Sequence, residues 1–286
     1  MPKRKAILSL ACGVSFLVLT ELAFPQSIWI DKSVDKAIWL EIQKPDFSKE
    51  FDPFVNSTFS TSAIFLSARW RLTSSVLLRA EIPFVSADVG DRRRIGETAD
   101  TIYDVGSSEN QFGNPLVGIE VGGPDAPTAG EIGVRIPIVD DEHSFSSLIG
   151  TYTDFDRFEA FVPKVVVLTA MAKIQYKGPT GLLLRLRVGP AFFIPIERAP
   201  EHELFGDYSL QAGYQFDRVT LLGGFSGRGL LSESNVGNRF VDQFGLAAGY
   251  RAGNFIPGVH LRFPLDVELN DFVDFVFGVN VGYRLP

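Results

Sequence analysis

The stretch from Ser62 to Phe84 constrains the fold more than any other. Ile64, Leu66, Ala68, Trp70 and Leu72 alternate with Phe65, Ser67, Arg69 and Arg71. After Thr73-Ser74 the alternation resumes, with Val76, Leu78, Ala80, Ile82 and Phe84 set against Leu77, Arg79, Glu81 and Pro83. Side chains on a strand point to opposite faces with period two. The stretch therefore reads as a hairpin, apolar on one face and carrying Arg69, Arg71, Arg79 and Glu81 on the other. Two environments suit such a ribbon. One is the surface of a soluble sheet, and the other is the wall of a membrane barrel, apolar outside and polar inside.

The same alternation recurs over 37–43, 115–122, 131–139, 165–176, 182–197, 208–216, 219–228, 240–250, 257–266 and 273–285. With the hairpin this predicts about twelve strands and no amphipathic helix after the N-terminal segment. Frequent Gly (27) and Phe (25) beside only 2 Met agree with β structure. The connections at 73–74, 123–130, 177–181, 217–218 and 251–256 are short. Those at 45–56, 85–114, 140–163, 198–207 and 229–239 read as mostly longer loops, with 267–271 a short exception. Short turns at one end and long loops at the other are the layout of an outer-membrane barrel. An apolar-Pro-apolar core repeats at Ile82-Pro83-Phe84, Ile136-Pro137-Ile138, Ile194-Pro195-Ile196 and Phe263-Pro264-Leu265. Each proline falls on the inward parity near a strand's loop end, where a missing ladder donor is tolerated. The polar face is rich in Gly, Ser, Gln, Asn and Arg, which suits an enclosed lumen better than a water-facing sheet. Trp70, Tyr176, Tyr214, Tyr250 and Tyr283 sit near strand ends, where aromatic girdles form.

Ahead of the strands, Lys3, Arg4 and Lys5 precede the uncharged run Ala6 to Thr20, which Glu21 ends. A basic start followed by a short apolar core predicts a secretory signal peptide over 1–27, cleaved between Ala23 and Ser27. The barrel is then expected over 28–286, with strands from about residue 37. The 1 cysteine, Cys12, lies in the leader, so the mature chain would hold no disulfide or thiolate site. A formal charge of -7 gives no general attraction for nucleic acid.

The leader, the twelve amphipathic strands and the last strand together resemble Gram-negative outer-membrane β-barrels. Terminal strands of that class carry a Gly followed by alternating apolar and aromatic residues, which Gly278, Val281 and Tyr283 match. The chain closes on Leu285-Pro286 where that class has a terminal Phe. The proline-ended strands are also similar, over residues 57–286, to the MetA-pathway-of-phenol-degradation family of transporter-like barrels. The resemblance implies an all-β, antiparallel up-and-down transmembrane barrel in the cell outer membrane. Its partners would be outer-membrane lipid, the barrel-assembly machinery and a small-molecule solute that the sequence leaves unknown.

The inward face would collect Arg69, Arg71, Arg79, Glu81, Arg135, Arg185, Arg187, His260 and Arg262. These residues would either select anionic or aromatic-acid solutes or brace a narrow barrel as an ion-paired network. Inward side chains or the loop at 85–114 could plug the lumen. No cofactor or metal motif occurs, and no enzyme is expected. His143-Ser144 is the nearest approach to the His-Ser-Asn arrangement of outer-membrane phospholipases, and His202 lies in another loop. The expected function is a passive channel or transporter. The alternatives are a structural or surface-interaction barrel acting through the loops at 85–114 and 140–163, and an outer-membrane lipid hydrolase.

Overall fold

The computed structural model describes residues 27–30, 34–47, 56–94, 102–123, 126–197, 201–233 and 239–286. The leader, Cys12 included, lies outside the described residues up to position 26, and Ser27 is the first described residue. The strands are β1 (Ala37–Phe47), β2 (Asn56–Arg71), β3 (Val76–Arg94), β4 (Ile102–Phe112), β5 (Leu116–Val121), β6 (Thr128–Arg135) and β7 (Val165–Lys177). They continue as β8 (Leu182–Pro195), β9 (Glu203–Phe216), β10 (Val219–Leu230), β11 (Phe240–Tyr250), β12 (Phe255–Pro264) and β13 (Val273–Arg284). Every strand pairs antiparallel with its neighbours, and β1 joins β13 in register from Ala37↔Arg284 to Phe47↔Val273. The pairing β2–β3 completes the ring. Both β4 and β5 pair with β3, β4 along Phe84–Arg94 and β5 along Val76–Glu81. They form one interrupted wall strand, and the result is a closed 12-strand antiparallel barrel.

The alternation that predicts the strands also sets their faces. Phe65 is 0% exposed while its outward neighbour Leu66 is 46% exposed. Outward apolar side chains continue around the ring at Ile82, Val117, Leu168, Leu186, Leu210, Leu246, Val259 and Val279, all exposed. In a soluble protein this band would be a severe liability. In a bilayer it is the lipid contact, and closure leaves no unpaired edge among hydrocarbon chains. Trp70, Tyr176, Tyr214, Tyr250 and Tyr283 are all exposed at the short-turn rim. The four prolines of the repeat lie on the inward face or its end, with Pro83 and Pro264 buried.

Three expected loops turn out otherwise. Strand β1 runs on to Phe47 and β2 starts at Asn56, so the 45–56 loop is shorter than read. Much of 85–114 is strand, because β3 and β4 extend the wall as a hairpin. The pattern inverts there: Val85 and Ala87 are buried inward, while Ser86 and Asp88 point outward. Beyond the hydrocarbon the outer face meets water and the inner face packs on protein. The lipid signature is lost although the strand continues.

The third correction is larger. Residues 140–163 hold a helix, α1 (Ser144–Thr153), and a 3₁₀ segment, Phe155–Ala160, both folded into the barrel. This segment plugs the lumen, and the described residues of 85–114 belong to the wall. The sequence Ser-Phe-Ser-Ser-Leu-Ile-Gly-Thr-Tyr-Thr is a poor autonomous helix. Thr151 Oγ1 and Thr153 Oγ1 donate back to the carbonyls of Ser147 (2.9 Å) and Ile149 (2.7 Å), as hydroxyls in helices do. The wall supplies what propensity lacks. Ile149 and Phe161 pack on Ala63, Phe65, Val85 and Ala87. Glu109 accepts from Ser146 N (3.0 Å), and Gln111 accepts from the hydroxyls of Ser146 (2.9 Å) and Ser147 (3.1 Å).

The break between β4 and β5 ties plug to wall. A Cβ at Gly113 would collide with the Ala160 carbonyl oxygen and with Pro83, so only glycine permits this approach. Asn114, 0% exposed, then spends its whole amide. It donates to the carbonyls of Glu159 (3.1 Å) and Val162 (2.7 Å). It accepts from the amides of Ile138 (2.9 Å) and Val139 (3.0 Å). Alanine at position 114 orphans buried backbone groups that cost about 1–3 kcal/mol each. Asn114→Ala is therefore expected to destabilise the barrel by about 3 kcal/mol or more, read as a lowered urea midpoint in detergent. An unchanged midpoint would show that this side chain does not stitch the break.

Candidate functional site

The lumen is filled from both ends. From the long-loop end comes the 144–160 segment. From the short-turn end come Ile28, Trp29 and Ile30, which are 7%, 3% and 4% exposed. Trp29 packs beside Leu222 and Ala247 and occupies the space a side chain at Gly245 would need. Gln211 Nε2 donates to the Ile28 carbonyl at 3.1 Å. The two inserted segments meet where Trp29 Nε1 donates to Asp156 Oδ2 at 2.9 Å.

The 3₁₀ segment carries Arg157 at its kink, with φ -134° and ψ 32°. That kink aims its guanidinium at three carboxylates. Nη1 lies 2.8 Å from Glu81 Oε2 on β3, and Nη2 lies 2.8 Å from Glu41 Oε2 on β1. Asp154 closes the set at 2.5 Å from Nη2 and accepts from Nε at 2.7 Å. The guanidinium carbon sits 3.5 Å from the centroid of the Phe65 ring, a cation–π contact in a desolvated site.

Around this centre the other charges are shared in the same way. Arg135 on β6 binds Glu81 (2.8 Å), Glu159 (3.3 Å) and the Asn114 carbonyl (3.0 Å). Arg262 on β12 binds Asp154 (2.7 Å), the Thr153 carbonyl (2.9 Å) and Gln43. Arg228 on β10 binds Glu159 (3.1 Å) and Asp207 (3.2 Å) and lies over the Phe158 ring. Gln243 Nε2 donates to Asp156 Oδ1 at 2.9 Å. The plug is thus clamped by groups on β1, β3, β6, β10, β11 and β12, around the circumference of the wall.

A second cluster lies nearer the short-turn rim. Glu120 pairs with Arg69 (2.7 Å), Arg79 (3.4 Å) and Lys173 (3.3 Å). Glu131 pairs with Arg79 (2.8 Å), Arg187 (3.4 Å) and Lys173.

Of the residues expected in the lumen, Arg69, Arg79, Glu81, Arg135, His260 and Arg262 are fully buried inside it. Arg185 and Arg187 line a cavity there. Arg71 stands apart. It ends β2 at the rim, half exposed, and pairs with Asp35. The His260 ring fills the space beside Gly278, and its Nε2 is 3.6 Å from Glu41 Oε1. His143 occupies the N-cap position of α1 in an exposed turn without a side-chain capping bond, its Nδ1 3.4 Å from Asp140 Oδ1. That hydrogen bond holds the Asp140 carboxyl below its ordinary value. Sequence reasoning missed Asp154, Asp156, Arg157 and Glu159, which it left in a loop. The only available signal was the dense sign alternation of Asp154-Phe155-Asp156-Arg157-Phe158-Glu159 between aromatic residues.

No family model and no curated protein matches the chain. Solved structures do. The COG4313 outer membrane channel from Pseudomonas putida F1 superposes with TM-score 0.59 at 10% identity, over 91% of this chain and 99% of that one. This chain has the fold of an outer-membrane β-barrel. The NanC porin aligns with TM-score 0.46 at 6% identity, over 87% of this chain and 100% of that one. The β domain of the Bordetella autotransporter BrkA aligns with TM-score 0.48 at 8% identity, over 88% and 100%. At such identities the likeness is one of fold.

Removing one partner of a buried ion pair costs about 3–5 kcal/mol, because the other charges stay buried without it. Arg157→Ala leaves Glu41, Glu81 and Asp154 facing one another. The expected result is a plug released from a barrel that still closes. Protease cleavage within 140–163 should become at least tenfold faster while heat-modifiable gel mobility persists. Equal cleavage rates would show that Arg157 does not hold the plug.

Proposed function

We propose that this outer-membrane barrel is a channel or transporter for small molecules, closed in this conformation by residues 27–30 and 144–160. One observation carries the reading: beside its apolar contacts, the plug is held by a ring of buried ion pairs. Buried ion pairs are a poor way to gain stability, since well-packed apolar residues of similar volume do as well or better. A lumen filled only for rigidity would be expected to be apolar. A lumen lined with Arg, Glu, Gln and Ser stays wettable once the plug withdraws, and its charges then face the solute path. The arginines named above would serve in both states, bracing the closed barrel and favouring anionic or aromatic-acid solutes in the open one. The sequence resemblance to transporter-like barrels of phenol degradation points the same way. His143 stands in an exposed turn with its Nδ1 toward Asp140, and this reading gives it no catalytic part.

A second reading has its own support. The β3–β4 hairpin extends the wall beyond the apolar band with an outward polar face at Ser86 and Asp88. That extension offers a surface for a partner outside the cell.

Planar-bilayer recording of the refolded protein distinguishes these readings. The wild type is expected to open rarely. Trp29→Ala, which removes the contact between the two inserted segments, should raise open probability at least tenfold. Absence of conductance steps in wild type, Trp29→Ala and Arg157→Ala alike would overturn the channel and favour the surface reading.

A further inference from the structure

One arc of the wall, towards the long-loop end, sets an aromatic corner beside two arginines. Arg135 on β6 faces Val167 on β7, and Val167 faces Phe193 on β8. On the next strands Asp207 of β9 faces Arg228 of β10, and Phe205 precedes Asp207 by two residues on the same face of β9. The Phe193 and Phe205 rings touch at 4.8 Å between centroids and 60° between planes, so the corner is made by the wall itself. The Arg228 guanidinium carbon lies 6.0 Å from the Phe205 centroid.

Two adjacent residues of the plug fill this corner. The Phe158 ring stacks on Phe193, with 5.4 Å between centroids and 16° between planes, and meets Phe205 edge-on at 5.7 Å. Phe155 covers the ring from the plug side at 5.6 Å. Glu159 sets its carboxylate between the two arginines, Oε1 at 3.3 Å from Arg135 Nε and Oε2 at 3.1 Å from Arg228 Nη1. Arg228 reads both features, because its guanidinium carbon also lies 4.3 Å from the Phe158 centroid. Cation–π contact recognises an aromatic face, and a charge-assisted hydrogen bond recognises a carboxylate. A ring and a carboxylate joined by one guanidinium outline an aryl-alkyl carboxylate.

We propose that this corner is a binding site for an aromatic carboxylate, whose place Phe158 and Glu159 hold while the barrel is closed. The proposal deepens the channel reading and rests on it for the withdrawal of the plug. The exchange conserves charge. A solute carboxylate takes the position of the Glu159 carboxylate, while Glu81 stays on Arg135 and Asp207 on Arg228. An uncharged aromatic leaves the carboxylate position empty, and an aliphatic carboxylate leaves the ring position empty. Solute and plug cannot share the corner, so the solute binds only the withdrawn state and shifts the plug towards it.

The test is calorimetric titration of the refolded full chain in detergent with 3-phenylpropanoate, with its uncharged amide, and with butanoate, which has the charge without the ring. The double variant Phe158→Ala, Glu159→Ala vacates the corner. It is expected to bind 3-phenylpropanoate saturably and at least tenfold more tightly than wild type, and to bind the other two probes at least tenfold more weakly. Adding Arg228→Gln should weaken 3-phenylpropanoate binding at least tenfold. Heat-modifiable mobility certifies each variant as folded, and Phe158→Ala alone is read by the same criterion should the double variant fail to fold. Absence of binding in the vacated variant, equal affinity in wild type and variant, equal affinity for all three probes, or affinity indifferent to Arg228→Gln overturns the site. A wild type that conducts while the vacated variant does not bind leaves the channel reading standing and removes this one. Binding in the vacated variant without conductance from any variant does the reverse.

Discussion

The grip of Glu41, Glu81 and Asp154 on the Arg157 guanidinium organises the interior of this barrel. A single cation joins two strands of the wall to an inserted segment that would not fold by itself. The geometry follows from the barrel. Inward positions on β1 and β3 converge on the axis, and a guanidinium offers enough donors to satisfy several carboxylates at once. Glu81 and Asp154 then pass the charge on to Arg135 and Arg262. The plug and the wall therefore form one electrostatic unit, and no member can be removed without stranding another.

This arrangement explains why a polar interior is tolerated in a barrel with so greasy an exterior. Outside, the strands need only be apolar. Inside, each charge must find a partner in a space that excludes most water. The barrel meets that demand in two stages. The plug cluster is anchored at the long-loop end with its carboxylates all engaged. The cluster nearer the short turns sets Glu120 and Glu131 between Arg69 and Arg79 on one side and Lys173 and Arg187 on the other. The two clusters share a lumen, the first richer in carboxylates and the second richer in cations.

The twelve wall strands were legible in the sequence because each obeys the same rule, lipid on one side and lumen on the other. Residues such as Arg79 and Arg135 could be placed on the inner face by parity alone. The rule stops where the lipid stops. Ser86 and Asp88 point outward into water, so the upper half of β3 carries no apolar stripe, and the strand hides in an apparent loop. The helix Ser144–Thr153 hides for a different reason. Its stability comes from Ala63, Phe65 and Val85, which are distant in sequence. Arg157 and its neighbours were unreadable as lumen residues for the same cause, since nothing local says that their loop turns inward. Asn114, which looks like an ordinary linker residue, gains its meaning only from the four backbone groups it meets.

The point where β3 changes character also measures something outside the protein. Its outward apolar run extends from Val76 to Phe84, and Ser86 follows on the same face. At about 3.3 Å per residue and a tilt near 40°, that run spans roughly 20 Å along the membrane normal. This is shorter than the hydrocarbon thickness of an average bilayer, which is about 30 Å. On β8 the outward apolar run is longer, from Leu184 to Ile196, so the apolar band is narrower at β3 than at β8 and the lipid beside β3 would have to compress to match it.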